Sequence, residues 1–348
     1  MKRYLAIILV AGMLLTGCKS ETEVTKETSN QTSAETERIS EPIKIRVAHH
    51  AGLSGAIVSG IDSIPENHFF QDEGLEVEWV KFTSGPPEVA AMISGDIQFG
   101  FLGHGAHTLA AEGKIDVISL HCLGNSEKIY VRKDSGIETV KDLEGKIIAT
   151  QLGTSGEVLL NMALEKEGMS RDDLKIMNMD MSGAVAAFVA GQVDAIACWD
   201  VYASNVVEQI GIDNVTLLTS TGDFAEQSAF PSSWVVTPSY ADKNPDVVIR
   251  FLRALHRCYD YREENYDKAI QATADFLDTD YATLSKTKDD ANNFNTEELK
   301  TMLEDGTIVD IYQRQLDYFL KEGKVSSGNV EEYVRVDLME RAFDTTED

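Results

Sequence analysis

The sequence predicts an α/β protein built as two similar halves facing each other across a cleft, and three observations carry that expectation. A worn internal repeat comes first: Val89, Ala90, Ala91, Met92, Ile93, Ser94, Gly95, Asp96, Ile97 and Gln98 return as Val185, Ala186, Ala187, Phe188, Val189, Ala190, Gly191, Gln192, Val193 and Asp194, a constant shift of 96 positions. In both copies a small-residue apolar helix stops at a glycine, the residue that tolerates the positive φ of a helix end. Each helix then runs into a short apolar stretch, 97–102 or 193–199, of the kind that forms buried parallel strands. The chain also alternates strand-like and helix-like segments, which implies a parallel sheet with helices on its faces. Ligands of such sheets bind at the carboxyl ends of the strands. The competing explanation for the repeat is restricted apolar composition alone.

The elements follow in order. Residues 43–48 alternate as a first strand that ends at His49 and His50. A Gly/Ser loop (Gly52, Ser54, Gly55) and a helical stretch to Phe70 lead to a second strand, 75–80. Pro86 and Pro87 suit the first turn of the helix carrying the first repeat copy. The strand 97–102 ends at Gly103, His104 and Gly105, a helix opens around 106–111, and 117–123 is a further strand. The second half begins near Ser135, with Thr139 and Asp142 as a capping box. Strands at 146–150 and 174–180 flank a helix over 157–168, and the second repeat copy ends at Trp199 and Asp200. After 215–219, the strand 232–236 returns to the first half. Asn244 and Pro245 open a helix to about Tyr266, apolar at Val248, Phe251, Leu252, Leu255 and Tyr259. The remainder is helical and acidic, with one more helix starting at Thr296. The expected division is 43–126 plus 233–348 for one lobe and 127–232 for the other.

The first residues carry a leader signature. Lys2 and Arg3 precede an apolar run, 4–14, too short to cross a bilayer, and Leu15, Thr16, Gly17 and Cys18 close it. Residues 1–17 read as a signal peptide, with Cys18 the expected lipidation site, since the tetrapeptide resembles a bacterial lipobox. Residues 18–42, rich in Ser, Thr and Glu, bury almost nothing and suit a tether. The expected location is outside the cytoplasm, held to the membrane by the lipid. The formal charge of −27, or −29 without Lys2 and Arg3, argues against nucleic acid as a partner. Beyond Cys18, only Cys122, Cys198 and Cys258 remain, each in apolar sequence, which points to buried thiols rather than a disulfide framework.

A family resemblance sharpens these expectations. Val80, Lys81, Phe82, Ser84 and Gly85, the run Gly95 to Gly100, the segment Val140 to Lys146 and the strand end Trp199–Asp200 resemble solute-binding lipoproteins of nitrate/sulfonate/taurine-type ABC importers. The likeness runs from about Ile43 to Pro245 and is strongest to the taurine-binding branch. It implies a type II periplasmic-binding-protein fold with a hinge and C-terminal helices, a small-molecule ligand, a permease and ATPase as partners, and a monomer. No catalysis and no cofactor are expected; the lone Cys198 lacks the clustered cysteines of the fold's pyrimidine-precursor synthases.

The expected ligand set comes from strand ends and helix starts. Ser84 and Gly85, Gly103 and His104, Thr154, Ser155 and Gly156, and Ser182 each offer backbone N–H groups and a positive helix end to an anion. Ordinary helix capping is the other role open to them. Asp200, beside Trp199 at the end of an apolar strand, either pairs with a ligand ammonium, as the resemblance implies, or caps the next helix. Trp199 and Trp234 pack against the ligand or the core. His49, His50, His104 and His107 gather at two adjacent strand ends, where they could hydrogen-bond an anion, bind a metal or face solvent; no metal site is expected. Glu157 departs from the taurine branch and, facing the cleft, would favour a more cationic ligand. The leading expectation is capture of a taurine-like zwitterion; a thiamine-type pyrimidine or other aromatic cation is the alternative.

Overall fold

The computed structural model describes residues 41–224 and 229–344; the leader, Cys18 and most of the tether lie outside the described residues. Residues Glu41–Asp348 form a single compact unit by their contacts. Among the described residues, eleven strands build two sheets: β1 (Ile43–His49), β2 (Leu75–Lys81), β3 (Phe99–Leu102), β4 (Asp116–Gly124), β5 (Lys128–Arg132), β6 (Ile147–Thr150), β7 (Lys175–Asn178), β8 (Ala195–Cys198), β9 (Val215–Ser220), β10 (Pro231–Val236) and β11 (Ala291–Asn293). The first sheet runs β11-β4-β10-β3-β1-β2 and the second β7-β6-β8-β5-β9.

The repeat has a structural counterpart. Helices Gly85–Ser94 and Met181–Val189 lead into β3 and β8, whose bounds also differ by 96 positions. Gly95 is the left-handed cap of the first helix at φ 85°. In the second, Ala190 is the cap and Gly191 takes the positive φ of 72° one residue later. Each sheet then pairs the same way. β3 is parallel to β1 and antiparallel to β10, while β8 is parallel to β6 and antiparallel to β5.

The sheets are therefore mixed, not parallel as the alternation predicts. Two of the antiparallel members are the strands at which the chain changes sheets: β5 follows β4 after three residues, and β10 comes back to lie between β3 and β4; the third, β11, pairs with the edge of β4. Two strands escaped the sequence reading. β5 has an apolar core of three residues, Ile129 to Val131, framed by the polar pairs Ser126–Glu127 and Lys133–Asp134, and β11 is three residues of polar sequence.

Helix Pro245–Glu264 covers the first sheet with the face its periodicity predicts, burying Val248, Phe251, Leu252, Leu255 and Tyr259. Phe251 stacks on Phe99 at 4.0 Å between ring centroids. Burial of each such side chain stabilises the fold by roughly 2–3 kcal/mol. Among the described residues no helix is long and apolar enough to cross a membrane.

Candidate functional site

The carboxyl ends of β1, β2, β3, β6 and β8 open on one pocket, lined by His50, Gly52, Ser84, Gly85, Phe101, Gly103, Glu127, Thr154, Ser155, Trp199, Asp200, Tyr202 and Asp290 among others. Side chains from the two sheets meet across it. Gln151, after β6, donates from Nε2 to Ser84 Oγ, after β2, at 2.7 Å. A Cβ on Gly105 would lie 2.3–2.7 Å from the Thr154 backbone, so the segments carrying them touch. Gly52 is pressed against Asp200: a Cβ there would stand 1.5 Å from Oδ2. Only glycine fits.

Four helices begin at this pocket: Leu53–Asp62 behind Gly52, Gly85–Ser94 behind Ser84, Ser155–Lys166 behind Thr154, and Asp200–Ile210 behind Trp199. All four cap residues have extended backbone, and none caps its helix with a side-chain hydrogen bond. The first-turn N–H groups, unsatisfied within any helix, thus converge with four positive dipole ends on one space. That arrangement suits an anion.

Opposite charge enters from three carboxylates. Asp200 is partly buried, adopts a positive φ of 47°, and among the described residues accepts no hydrogen bond. Desolvation, reinforced by Asp290 and Glu127, pushes its pKa up to about 7, against the pull of Lys128 and His50. Asp290 pairs with Lys128 at 3.3 Å, and burial raises its pKa too. Glu127, 5% exposed, is raised by burial although the Ser155 and Thr221 hydroxyls hydrogen-bond it. On the first-sheet side, His50 Nε2 hydrogen-bonds the fully buried Glu88 carboxylate at 2.6 Å. Cys122 lines the wall, but burial lifts its thiol to about 11, so it stays protonated and inert.

Of the expected ligand set, His50, Ser84, Gly85, Gly103, Thr154, Ser155, Trp199 and Asp200 line the pocket, and the others do not. His49 is buried edge-on against Phe276. His104 stacks on Phe230, and the Gln315 amide bridges its Nδ1 to that of His107, so two of the clustered histidines belong to the core. Gly156 packs its helix onto β8, where a Cβ would lie 3.1 Å from the Ala197 carbonyl. Glu157 is occupied elsewhere: Arg171 and Lys324 pair with it and the Gly153 N–H donates to it, holding its pKa below the ordinary value despite burial. Ser182 is exposed, in a helix start already capped by Asp180. Trp234, 1% exposed, packs on Phe101, Trp79 and Phe251 in the core. The sequence reading missed Glu127, Asp290 and Tyr202. Glu127 precedes the unrecognised β5 and Asp290 the unrecognised β11, so neither had a strand to place it.

Comparison with known proteins places this architecture. Residues 65–269 match the family described as NMT1/THI5 like. The chain belongs to this family. A binding protein of Brucella abortus is 30% identical over 289 residues, covering 83% of this chain and 89% of the relative. The taurine-binding periplasmic protein of Escherichia coli is 31% identical over 216 residues, 61% of this chain and 64% of that one. A more distant relative is an enzyme, the 4-amino-5-hydroxymethyl-2-methylpyrimidine phosphate synthase of Aspergillus parasiticus, 27% identical over 209 residues, 56% of this chain and 59% of that one. The fold is that of the crystallised periplasmic aliphatic sulphonate binding protein of Escherichia coli, with a TM-score of 0.63 at 23% identity over 84% of this chain and 92% of that one. This NMT1/THI5-like chain thus has the periplasmic-binding-protein fold its sequence resembles.

Proposed function

We propose that this chain is the extracytoplasmic solute-binding component of an ABC importer and captures a small amino-sulfonate, taurine or a close analogue. The observation that carries the reading is the opposition within one pocket: three uncapped helix starts, behind Gly52, Ser84 and Thr154, face an unpartnered Asp200 carboxylate in the first turn of the fourth helix. A sulfonate accepts from the helix N–H groups and from the Ser84 hydroxyl, whose oxygen takes the Gln151 amide, with no arginine among the described lining residues. An ammonium group satisfies Asp200, assisted by Glu127 and Asp290. The similarity to taurine- and sulfonate-binding proteins supports the same ligand class. In this reading the two sheets are the hearts of two lobes, 43–126 plus 233–348 and 127–232, which close on the ligand about the crossing strands. Attachment through Cys18 belongs to the same proposal and is tested by lipid labelling of the wild type against Cys18→Ala.

Calorimetry with the purified body tests the ligand. Taurine should bind with a dissociation constant in the micromolar range or below, and Asp200→Asn should weaken it by on the order of 100-fold while changing ethanesulfonate binding several-fold at most. Equal losses for both ligands would remove the ammonium role.

One observation favours a second reading. Three carboxylates and the rings of Phe101, Trp199 and Tyr202 share the pocket, which suits an aromatic amine such as a thiamine-type pyrimidine. Saturable binding of an aminopyrimidine with no binding of any sulfonate would select it.

A further inference from the structure

Resting on the reading that an anionic group enters this pocket, we propose that Gln151 is a positioning residue: its amide engages Ser84 Oγ as an acceptor and so turns the Ser84 hydroxyl proton toward the ligand. The reason lies in the helix start at Ser84. A serine at a helix N-cap ordinarily accepts a hydrogen bond from the second or third N–H of its helix. In helix Gly85–Ser94 those two positions are Pro86 and Pro87, which have no N–H to give. Ser84 accordingly makes no side-chain capping bond. Of the first three helical residues only Gly85 brings an N–H, whereas the helix behind Thr154 brings three, from Ser155, Gly156 and Glu157. The two prolines thus thin the donors at this start and release its serine from capping.

Gln151 gives that serine a direction. Ser84 is 2% exposed and lines the pocket, while Gln151 does not line it. The Nε2–H donates to Ser84 Oγ at 2.7 Å, and among the described residues the hydroxyl accepts this bond and donates none. A hydroxyl has one proton and two lone pairs, so committing a lone pair to the amide leaves the proton for an acceptor in the pocket. The amide is itself anchored. Thr150, the last residue of β6, donates from its hydroxyl to the Ala197 carbonyl at 3.0 Å, and the Thr154 hydroxyl donates to the Gln151 carbonyl at 2.6 Å. Gln151 Oε1 is buried with no partner among the described residues, so the side chain is committed to Ser84 through Nε2. Ser84 follows β2 and Gln151 follows β6, and the donor is therefore assembled from both sheets. A ligand with no acceptor at this point would leave the proton buried and unsatisfied, which discriminates in favour of ligands carrying an anion there.

Two measurements on the whole binding body decide it. In the ligand-free protein, side-chain amide NMR should show one Gln151 Nε2 proton shifted downfield by its bond, and Ser84→Ala should return it upfield; a Gln151 amide indifferent to Ser84→Ala overturns the proposal. Calorimetry with taurine then supplies a double-mutant cycle. Ser84→Ala and Gln151→Leu should each weaken binding about 10-fold, and the double variant should match either single one to within about twofold. Losses that multiply overturn the proposal, because a side chain that merely packs costs the same with or without the Ser84 hydroxyl. Failure of both taurine and ethanesulfonate to bind the wild type would instead remove the amino-sulfonate reading, with the ligand-free amide signal still deciding whether Gln151 orients Ser84.

Discussion

At the scale of the residue, the pocket keeps a carboxylate where the fold resists it. Asp200 carries a raised pKa, so in the ligand-free protein its ionisation opposes folding. The folded-state pKa of about 7 lies above the unfolded value, the native state binds the extra proton, and stability falls as pH rises from about 4 to about 7. Asp200→Asn should therefore raise the ligand-free melting temperature at pH 8 by about 2 °C or more and change it little near pH 4, as thermal melts at the two pH values would show. Gly52→Ala tests the contact from the other side: its methyl group displaces the carboxylate, so taurine affinity should drop at least ~10-fold with the fold retained, read by calorimetry and circular dichroism. Asp200 was legible because a carboxylate ending an apolar strand demands a partner. Glu127 and Asp290 were not, since composition does not distinguish them from the many other acidic residues of an acidic chain.

At the scale of the element, the two repeat copies show how local chemistry specifies a helix end. A Cβ on Gly95 would meet nothing within 4 Å, so Gly95→Ala tests backbone strain alone. It should cost ~1 kcal/mol, a fall of a few degrees in melting temperature, without altering ligand affinity. β10 makes the opposite case. Trp234 sits at its centre with almost no exposure, so Trp234→Ala should destabilise by ~3–5 kcal/mol, measured by urea unfolding. Helix Pro245–Glu264 was fully readable because its apolar face repeats every three to four residues. Strand polarity was not. Whether a short apolar run pairs parallel or antiparallel depends on neighbours brought from elsewhere in the chain, as β10 shows between β3 and β4. The histidines misled for a related reason: closeness at strand ends says nothing of which side of the sheet a ring takes, and Gln315, more than two hundred residues away, is what draws His104 and His107 into the core.

At the scale of the whole molecule, the C-terminal segment reaches the second sheet's main helix. Lys324 hydrogen-bonds Glu157 at 2.7 Å and Lys321 pairs with Glu165, both on helix Ser155–Lys166. If the lobes move as proposed, these pairs favour the closed arrangement. Lys324→Ala should weaken ligand binding several-fold and enlarge the ligand-free radius of gyration by small-angle scattering, with Arg171 still satisfying Glu157. The insertion of β10 between β3 and β4 also bears on how the chain acquires its shape. All five strands of the second sheet lie between residues 128 and 220, an uninterrupted stretch, whereas β4 has neither of its sheet neighbours until β10 and β11 have been made. A chain emerging from its amino end can therefore complete the second sheet while the first one waits, its β3 and β4 edges open. Refolding should follow the same order. Pulsed hydrogen exchange would find the amides of β5, β6 and β8 protected before those of β3 and β4, so that the half made from both ends of the chain is the last to form.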